Sequence, residues 1–298
     1  SRKKIATRAI EQHLNKDQSS AETIARSSFS HTGRSFLEIS LSRKTDWRFV
    51  QDSVQIENPD QLRHVLELER PIIATTGHFG AWEVLAGLLN LFFSDRMGQI
   101  VVRPPKDRAL NQITSHFRSH PGVEVLSNRQ TAPRALRCLM KNKGITSFLV
   151  DHNCGRSKAV FLPFLVDLAA VNMGPALLAI RAKAVILPVF LIRQKKCQYL
   201  LRTETPLDTL ALRGNTEEKI TIAANFYTRA IERQVIQNPE QWFWMHKRWK
   251  TRPNSDAEFR HSYLAEKLNL NSCSEPEITN NILTQKKSRS GHLPEPGL

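Results

Sequence analysis

A histidine and a glutamate five residues apart, His78 and Glu83, stand in the stretch PIIATTGHFGAWEVLAGLLNLFF, residues 71 to 93. An imidazole is a general base when a carboxylate holds one ring nitrogen, fixes the tautomer and supports the charge that develops on the ring. On a regular helix, positions i and i+5 point about 140° apart, because each residue turns about 100°. The pair therefore works only if His78 lies in a turn and Glu83 in the first turn of the following helix. Gly77 and Gly80 give the intervening backbone the freedom to fold the carboxylate back. The first N–H groups of that helix, near Gly80, are candidate donors to a developing oxyanion. The alternative is a satisfied histidine beside a helix-capping glutamate.

Other chemistries lack their signatures. No H-E-x-x-H zinc pattern, G-x-S-x-G elbow, Walker loop or G-x-G-x-x-G occurs. Cys138, Cys154, Cys197 and Cys273 form no C-x-x-C pair, so a zinc site or disulfide framework is not expected and reduced thiols are the default.

The elements that must place His78 follow from the apolar grammar. Short β-rich runs begin at residue 71: PIIATT, QIVVRP, GVEVLS, ITSFLVD, AVILPVFLI and QYLLRTE. Helical patterns lie between most of them, which predicts an α/β fold with a central sheet flanked by helices. In such sheets, sites gather beyond the carboxyl ends of the strands. His78 follows PIIATTG, Arg103 ends QIVVR and Asp151 ends ITSFLVD. These three form a candidate constellation, although Arg103 also reads as a surface residue, Asp151 as a loop cap and His152 as a loop residue. Residues 1–70 read as an N-terminal helical segment packing on the core, 71–255 as the α/β core, and 256–298 as a C-terminal helix with a largely disordered polar tail. Asn58 before Pro59 marks one helix start, and Asn215 with Glu218 marks another.

The chain carries 43 Lys and Arg against 28 Asp and Glu, a formal +15. That surplus biases it toward nucleic acid, anionic lipid or an acidic protein. The basic residues are spread along the chain without a nucleic-acid-binding signature, which disfavours the first. The segment EQWFWMHKRWK interleaves Trp242, Trp244 and Trp249 with cations. It suits a single-stranded nucleic acid, a membrane interface, or a packed core element with a basic rim. No run reaches the roughly 18 apolar residues of a spanning helix.

GHFGAWE resembles the signature of the bacterial lipid A biosynthesis acyltransferases, the lauroyl and myristoyl transferases of the lysophospholipid-acyltransferase type. VVRPPKDRALNQ resembles that family's second block, FLVDHNCGRSKAVFLPFLVDLAAVNMGPALLAIRAKAVILPVF its third, and NPEQWFWMHKRWKTRP its last. The resemblance runs over residues 2 to 253, with the blocks in order. It implies an α/β sandwich over a mixed sheet. It also implies transfer of a fatty acyl group from an acyl thioester, either acyl carrier protein or acyl-CoA as co-substrate, to a hydroxyl of a lipid A precursor. A different glycolipid or an aminolipid is the alternative acceptor. His78 becomes the base and Glu83 its partner, with Arg103, Gly80 and Asp151 binding substrate or oxyanion. No acyl-enzyme, metal or other cofactor is expected.

The expected partners are acyl carrier protein and anionic membrane lipid. The expected state is a monomer at the cytoplasmic face of the inner membrane. The family's hydrophobic N-terminal anchor would precede Ser1, so the sequence reads as trimmed. Within this family the Trp-rich segment leans toward the membrane. His152 stands where the family has Gln, Val166 where it often has Gly, and Val171 where it often has Thr, which bears on substrate detail.

Overall fold

The computed structural model describes residues 1–127, 131–195 and 197–270. The polar tail expected from about residue 271, with Cys273, lies outside the described residues. In chain order the elements are α1 (Arg2–Leu14), α2 (Gln18–Glu38), a 3-10 turn (Ile39–Lys44), α3 (Trp47–Ser53), β1 (Val54–Ile56), α4 (Pro59–Glu67), β2 (Ile72–Thr76), α5 (Trp82–Phe92), β3 (Gly98–Val102), α6 (Arg108–Arg118), β4 (Val123–Ser127) and α7 (Thr131–Asn142). Then come β5 (Ile145–Leu149), β6 (Ala159–Phe164), β7 (Asp167–Asn172), α8 (Gly174–Ala182), β8 (Val185–Arg193), β9 (Tyr199–Thr203), β10 (Leu207–Asp208), α9 (Thr216–Gln237) and α10 (Asp256–Lys267).

The main sheet has the order β1-β9-β8-β2-β5-β3-β4, with β10 paired to β8. Strands β8, β2, β5, β3 and β4 run parallel, whereas β9 and β10 are antiparallel to β8. The sheet is therefore mixed and flanked by helices, as the alternation predicts. Every residue of β2 and β8 is buried, the continuous apolar run of a strand covered on both faces. Alternate residues serve opposite cores. Ile72 and Ala74 pack with Val84, Leu85 and Leu88 of α5, while Ile73 packs with Phe148, Ala176 and Tyr227. The apolar run after the GHFGAWE motif is thus core.

The helix starts read from sequence are present. Pro59 opens α4, and Asn215 with Glu218 forms a reciprocal capping box on α9. Two features were not legible. Three-residue β1 sits inside the N-terminal helical segment and pairs parallel with β9, too short to show an alternation. The β6–β7 hairpin stands apart as a two-stranded sheet, turning at Leu165, whose φ is +54°, and at exposed Val166. Neither turn residue is one that announces a hairpin.

Candidate active site

Strand register brings the three predicted strand-end residues into one row. Thr76 of β2 is level with Leu149 of β5, so His78 and Asp151, each two residues further on, are level too. Val101 of β3 is level with Phe148 of β5, so Arg103 stands beside Val150. Because β2, β5 and β3 are adjacent and parallel, all three side chains emerge at the same edge of the sheet.

The carboxylate that meets His78 is Asp151, not Glu83. Asp151 Oδ1 lies 2.8 Å from His78 Nδ1. Oδ2 accepts from the His78 backbone N–H at 2.8 Å and from Trp242 Nε1 at 2.9 Å. A carboxylate only accepts, so Nδ1 carries the proton and, in the neutral ring, Nε2 carries the lone pair. The Asp151 side chain is fully buried and that of His78 is 20% exposed, a buried acceptor under a base that reaches the open. Burial alone would raise the Asp151 carboxyl. The His78 charge and hydrogen bond, with His152 and His246 nearby, outweigh it and hold the group well below the usual carboxylate range.

Glu83 is occupied elsewhere. Arg118, at the end of α6, donates Nε to Glu83 Oε2 at 2.9 Å and Nη2 to Oε1 at 2.5 Å, and the neighbouring Trp82 Nε1 adds a third donor at 3.2 Å. A planar guanidinium satisfies both carboxylate oxygens at once, which a single imidazole nitrogen does not. The backbone also keeps the pair apart. Residues 78–80 do not fold back but bridge to residues 241–243: Phe243 N–H donates to His78 O at 3.0 Å and Gly80 N–H to Gln241 O at 3.0 Å.

This corrects the reading of Gly80 as an oxyanion donor, because its N–H is already given to Gln241. The Ala81 N–H is likewise given to Leu191 O at 2.8 Å. Glycine is still required at position 80. Its φ is +56°, and a Cβ there would lie 2.1 Å from the Leu191 carbonyl oxygen.

Sequence reasoning missed Arg118 and Trp242. Arg118 reads as one more basic residue near a helix end. Trp242 lies 91 residues from the carboxylate it serves. The one usable signal is that a buried indole N–H must find an acceptor. The tryptophan-rich segment is an interior element, which corrects its membrane-facing reading. Trp242 and Trp244 are each 1% exposed and pack edge to face at 4.6 Å. Arg248, also buried, donates to Ala170 O at 2.6 Å and lies 3.4 Å from His152 O. His246 Nε2 sits 3.0 Å from Asp151 O. Together these contacts brace the 151–152 turn.

The row opens into a cavity of about 870 Å³ lined by His78, Glu83, Arg103, Arg118 and His152, with Lys158 and Arg181 as further cations. Its volume falls within the range of ligand clefts, about 300–1,000 Å³. Ile100, Phe148, Pro175, Leu177 and Leu178 give it an apolar wall. Arg103 is exposed at the rim. His152 meets His78 edge to face at 4.1 Å. Partial burial, and then the His78 charge, push the His152 imidazole down, so it stays neutral beside its neighbour. Ligand-capable atoms of His78, Asp151 and His152 lie within 4.8 Å of one another. Because Asp151 already accepts three N–H bonds, a cation there would have to displace the His78 proton. The arrangement reads as a hydrogen-bonded dyad in a cleft with cationic and apolar walls.

Known proteins are similar to this chain over most of its length. Residues 1–251 match the family described as Bacterial lipid A biosynthesis acyltransferase. The chain is 25% identical over 233 residues to the lipid A biosynthesis lauroyltransferase of Escherichia coli strain K12, covering 76% of this chain and 71% of that protein. It is 22% identical over 203 residues to the lipid A biosynthesis palmitoleoyltransferase of the same organism, covering 68% and 63%. It is 24% identical over 197 residues to a Haemophilus influenzae lipid A biosynthesis acyltransferase, covering 65% and 60%. The last two alignments span less than two thirds of the relatives' lengths. With the family match extending over more than half of its 298 residues, the chain belongs to the bacterial lipid A biosynthesis acyltransferase family.

Proposed function

We propose that this protein moves a fatty acyl group from an acyl thioester, carried by acyl carrier protein, to a hydroxyl of a lipid A precursor, with His78 as general base and Asp151 as the residue that orients it. The observation that carries this reading is the 2.8 Å contact between His78 Nδ1 and Asp151, which leaves Nε2 as the proton acceptor at the cavity wall.

His78 Nε2 takes the hydroxyl proton as the oxygen attacks the thioester carbonyl. A C–O bond forms, and the carbonyl becomes a tetrahedral oxyanion. As the oxyanion collapses the C–S bond breaks, and the imidazolium returns its proton to the departing thiolate. Asp151 remains ionised throughout and supports the imidazolium. General-base assistance of this kind supplies about 10²–10⁴-fold. Arg118, held by Glu83 and lining the cavity, takes the oxyanion in this scheme, a role that Gly80 cannot fill. Arg103, Lys158 and Arg181 suit an acceptor that carries phosphate. The apolar wall takes the acyl chain. No acyl-enzyme enters this scheme, and the acyl donor is its only co-substrate.

On this reading the protein works at the cytoplasmic face of the inner membrane, as a monomer. Among the described residues no helix is long and apolar enough to cross a membrane. Mass spectrometry of lipids from cells with and without the gene tests the acceptor. A lipid A species lighter by one acyl chain in the deletion is expected. An unchanged lipid A beside a glycolipid or aminolipid that loses a chain would move the activity to that acceptor.

A further inference from the structure

Four large apolar side chains stand in water on two elements that flank the cavity. Phe36 and Leu37, at the end of α2, are 56% and 77% exposed; Leu110 and Ile113, on α6, are 50% and 52% exposed. Contacts tie both elements to the cavity wall. The Phe36 ring packs edge to face on Trp82 at 6.1 Å, and Trp82 and Glu83 line the cavity. Glu83 holds Arg118 at the end of α6. Leu110 lies eight residues before Arg118, about 12 Å along the helix. It shares a stripe with buried Thr114 and with Arg118. The turn after α2 also ties to α6, where Arg43 Nη1 donates to His116 O at 3.3 Å.

Cations surround these apolar side chains. Arg43 and Lys44 follow Leu37, while Arg103, Lys106 and Arg108 precede Leu110, and all five are exposed. The acids in the same stretches are fewer: Glu38 is buried against Arg193, while Asp46 and Asp107, exposed, cap α3 and α6. Apolar side chains inside a collar where cations outnumber acids match an anionic bilayer, whose acyl region takes the former and whose headgroups take the latter.

We infer that the rim formed by Phe36, Leu37, Leu110 and Ile113, with its cationic collar, seats the cavity mouth on an anionic lipid bilayer. The inference rests on the proposed reading that the acceptor is a lipid. The same face then opens the active site directly onto the bilayer, and the acceptor's tails need not cross water.

The test is flotation of the protein with phosphatidylcholine vesicles containing or lacking phosphatidylglycerol. The L37S/L110S/I113S variant, whose altered side chains lie outside the catalytic machinery, is compared with wild type. A thermal melt checks folding, and transfer is assayed with acceptor in vesicles and in detergent micelles. Each large apolar side chain withdrawn costs about tenfold in partitioning, so a loss on the order of 100-fold or more is expected. Binding should also weaken when phosphatidylglycerol is omitted. Vesicle activity should fall in parallel while micelle activity holds. An L37F/L110F/I113F variant should bind at least as tightly as wild type. Vesicle binding unchanged in the serine variant, or wild-type protein that pairs with itself or another protein through this face and ignores vesicles, would overturn the inference. Rim-dependent binding without transfer in either format would keep it and remove the acyltransferase reading instead.

Discussion

Asp151→Asn separates the carboxylate's chemistry from its shape. Asp151 accepts three N–H bonds, two on Oδ2 and one on Oδ1. An asparagine has one accepting oxygen and one donating NH2. If the NH2 replaces Oδ2, it faces the His78 N–H and the Trp242 Nε1–H and leaves both unpaired. If it replaces Oδ1, it faces only His78 Nδ1, which can turn from donor to acceptor by changing tautomer. The second orientation is the cheaper one. It puts the ring proton on Nε2, where the base is needed, and removes the charge that supports the imidazolium. The chemical step should fall by on the order of 10³-fold in kcat with a similar loss in kcat/KM. Losing a charge-assisted hydrogen bond costs about 2 kcal/mol, a Tm lowered by about 4–8 °C, so the variant folds. Steady-state transfer from an acyl thioester to a lipid acceptor, with a parallel melt, reads both effects. A folded variant that retains more than a tenth of wild-type kcat would refute the assignment of Asp151.

The Glu83–Arg118 pair should behave as a unit. Glu83→Ala strands a guanidinium whose side chain is only 16% exposed and should cost about 3 kcal/mol. Glu83→Leu with Arg118→Met should recover much of the melting temperature without recovering turnover. Gly80→Ala must place a Cβ against the Leu191 carbonyl at positive φ, and it should fail to fold or lose more than about 3 kcal/mol in a denaturant titration. Arg103→Lys, at an exposed site, should leave the melt unchanged and raise KM for a phosphorylated acceptor more than for its dephosphorylated analogue. Acid should expose the dyad's contribution to stability. The folded Asp151 carboxyl is held below its unfolded value, so its stabilisation is complete above about pH 4 and is lost as the pH falls through the folded value. The Tm gap between wild type and Asp151→Asn should therefore shrink as the pH falls below about 4; a gap that stays unchanged as acid is added there would contradict this.

The six strands β2, β3, β4, β5, β8 and β9 were legible because each is a short apolar run between turn signals, and that alone places His78, Arg103 and Asp151 at strand ends. Their adjacency was not legible. Strand order depends on how helices pack across the sheet, and it is the adjacency of β2 and β5 that makes His78 and Asp151 neighbours. Glu83 drew attention by closeness in sequence, yet local spacing says nothing about a competitor such as Arg118, 35 residues away and better shaped for a carboxylate. The tryptophan-rich block carries the same ambiguity. Its composition suits a membrane interface and a core element equally, and the buried hydrogen bond from Trp242 to Asp151 decides between them.

The most direct measurement is the product mass after purified protein is incubated with an acyl-loaded acyl carrier protein and a lipid A precursor, wild type beside His78→Ala. The account predicts that wild type makes the acceptor heavier by one acyl group while the folded His78→Ala protein makes none above background. Transfer at near wild-type rate by His78→Ala, or no transfer by wild type to this acceptor, would contradict it.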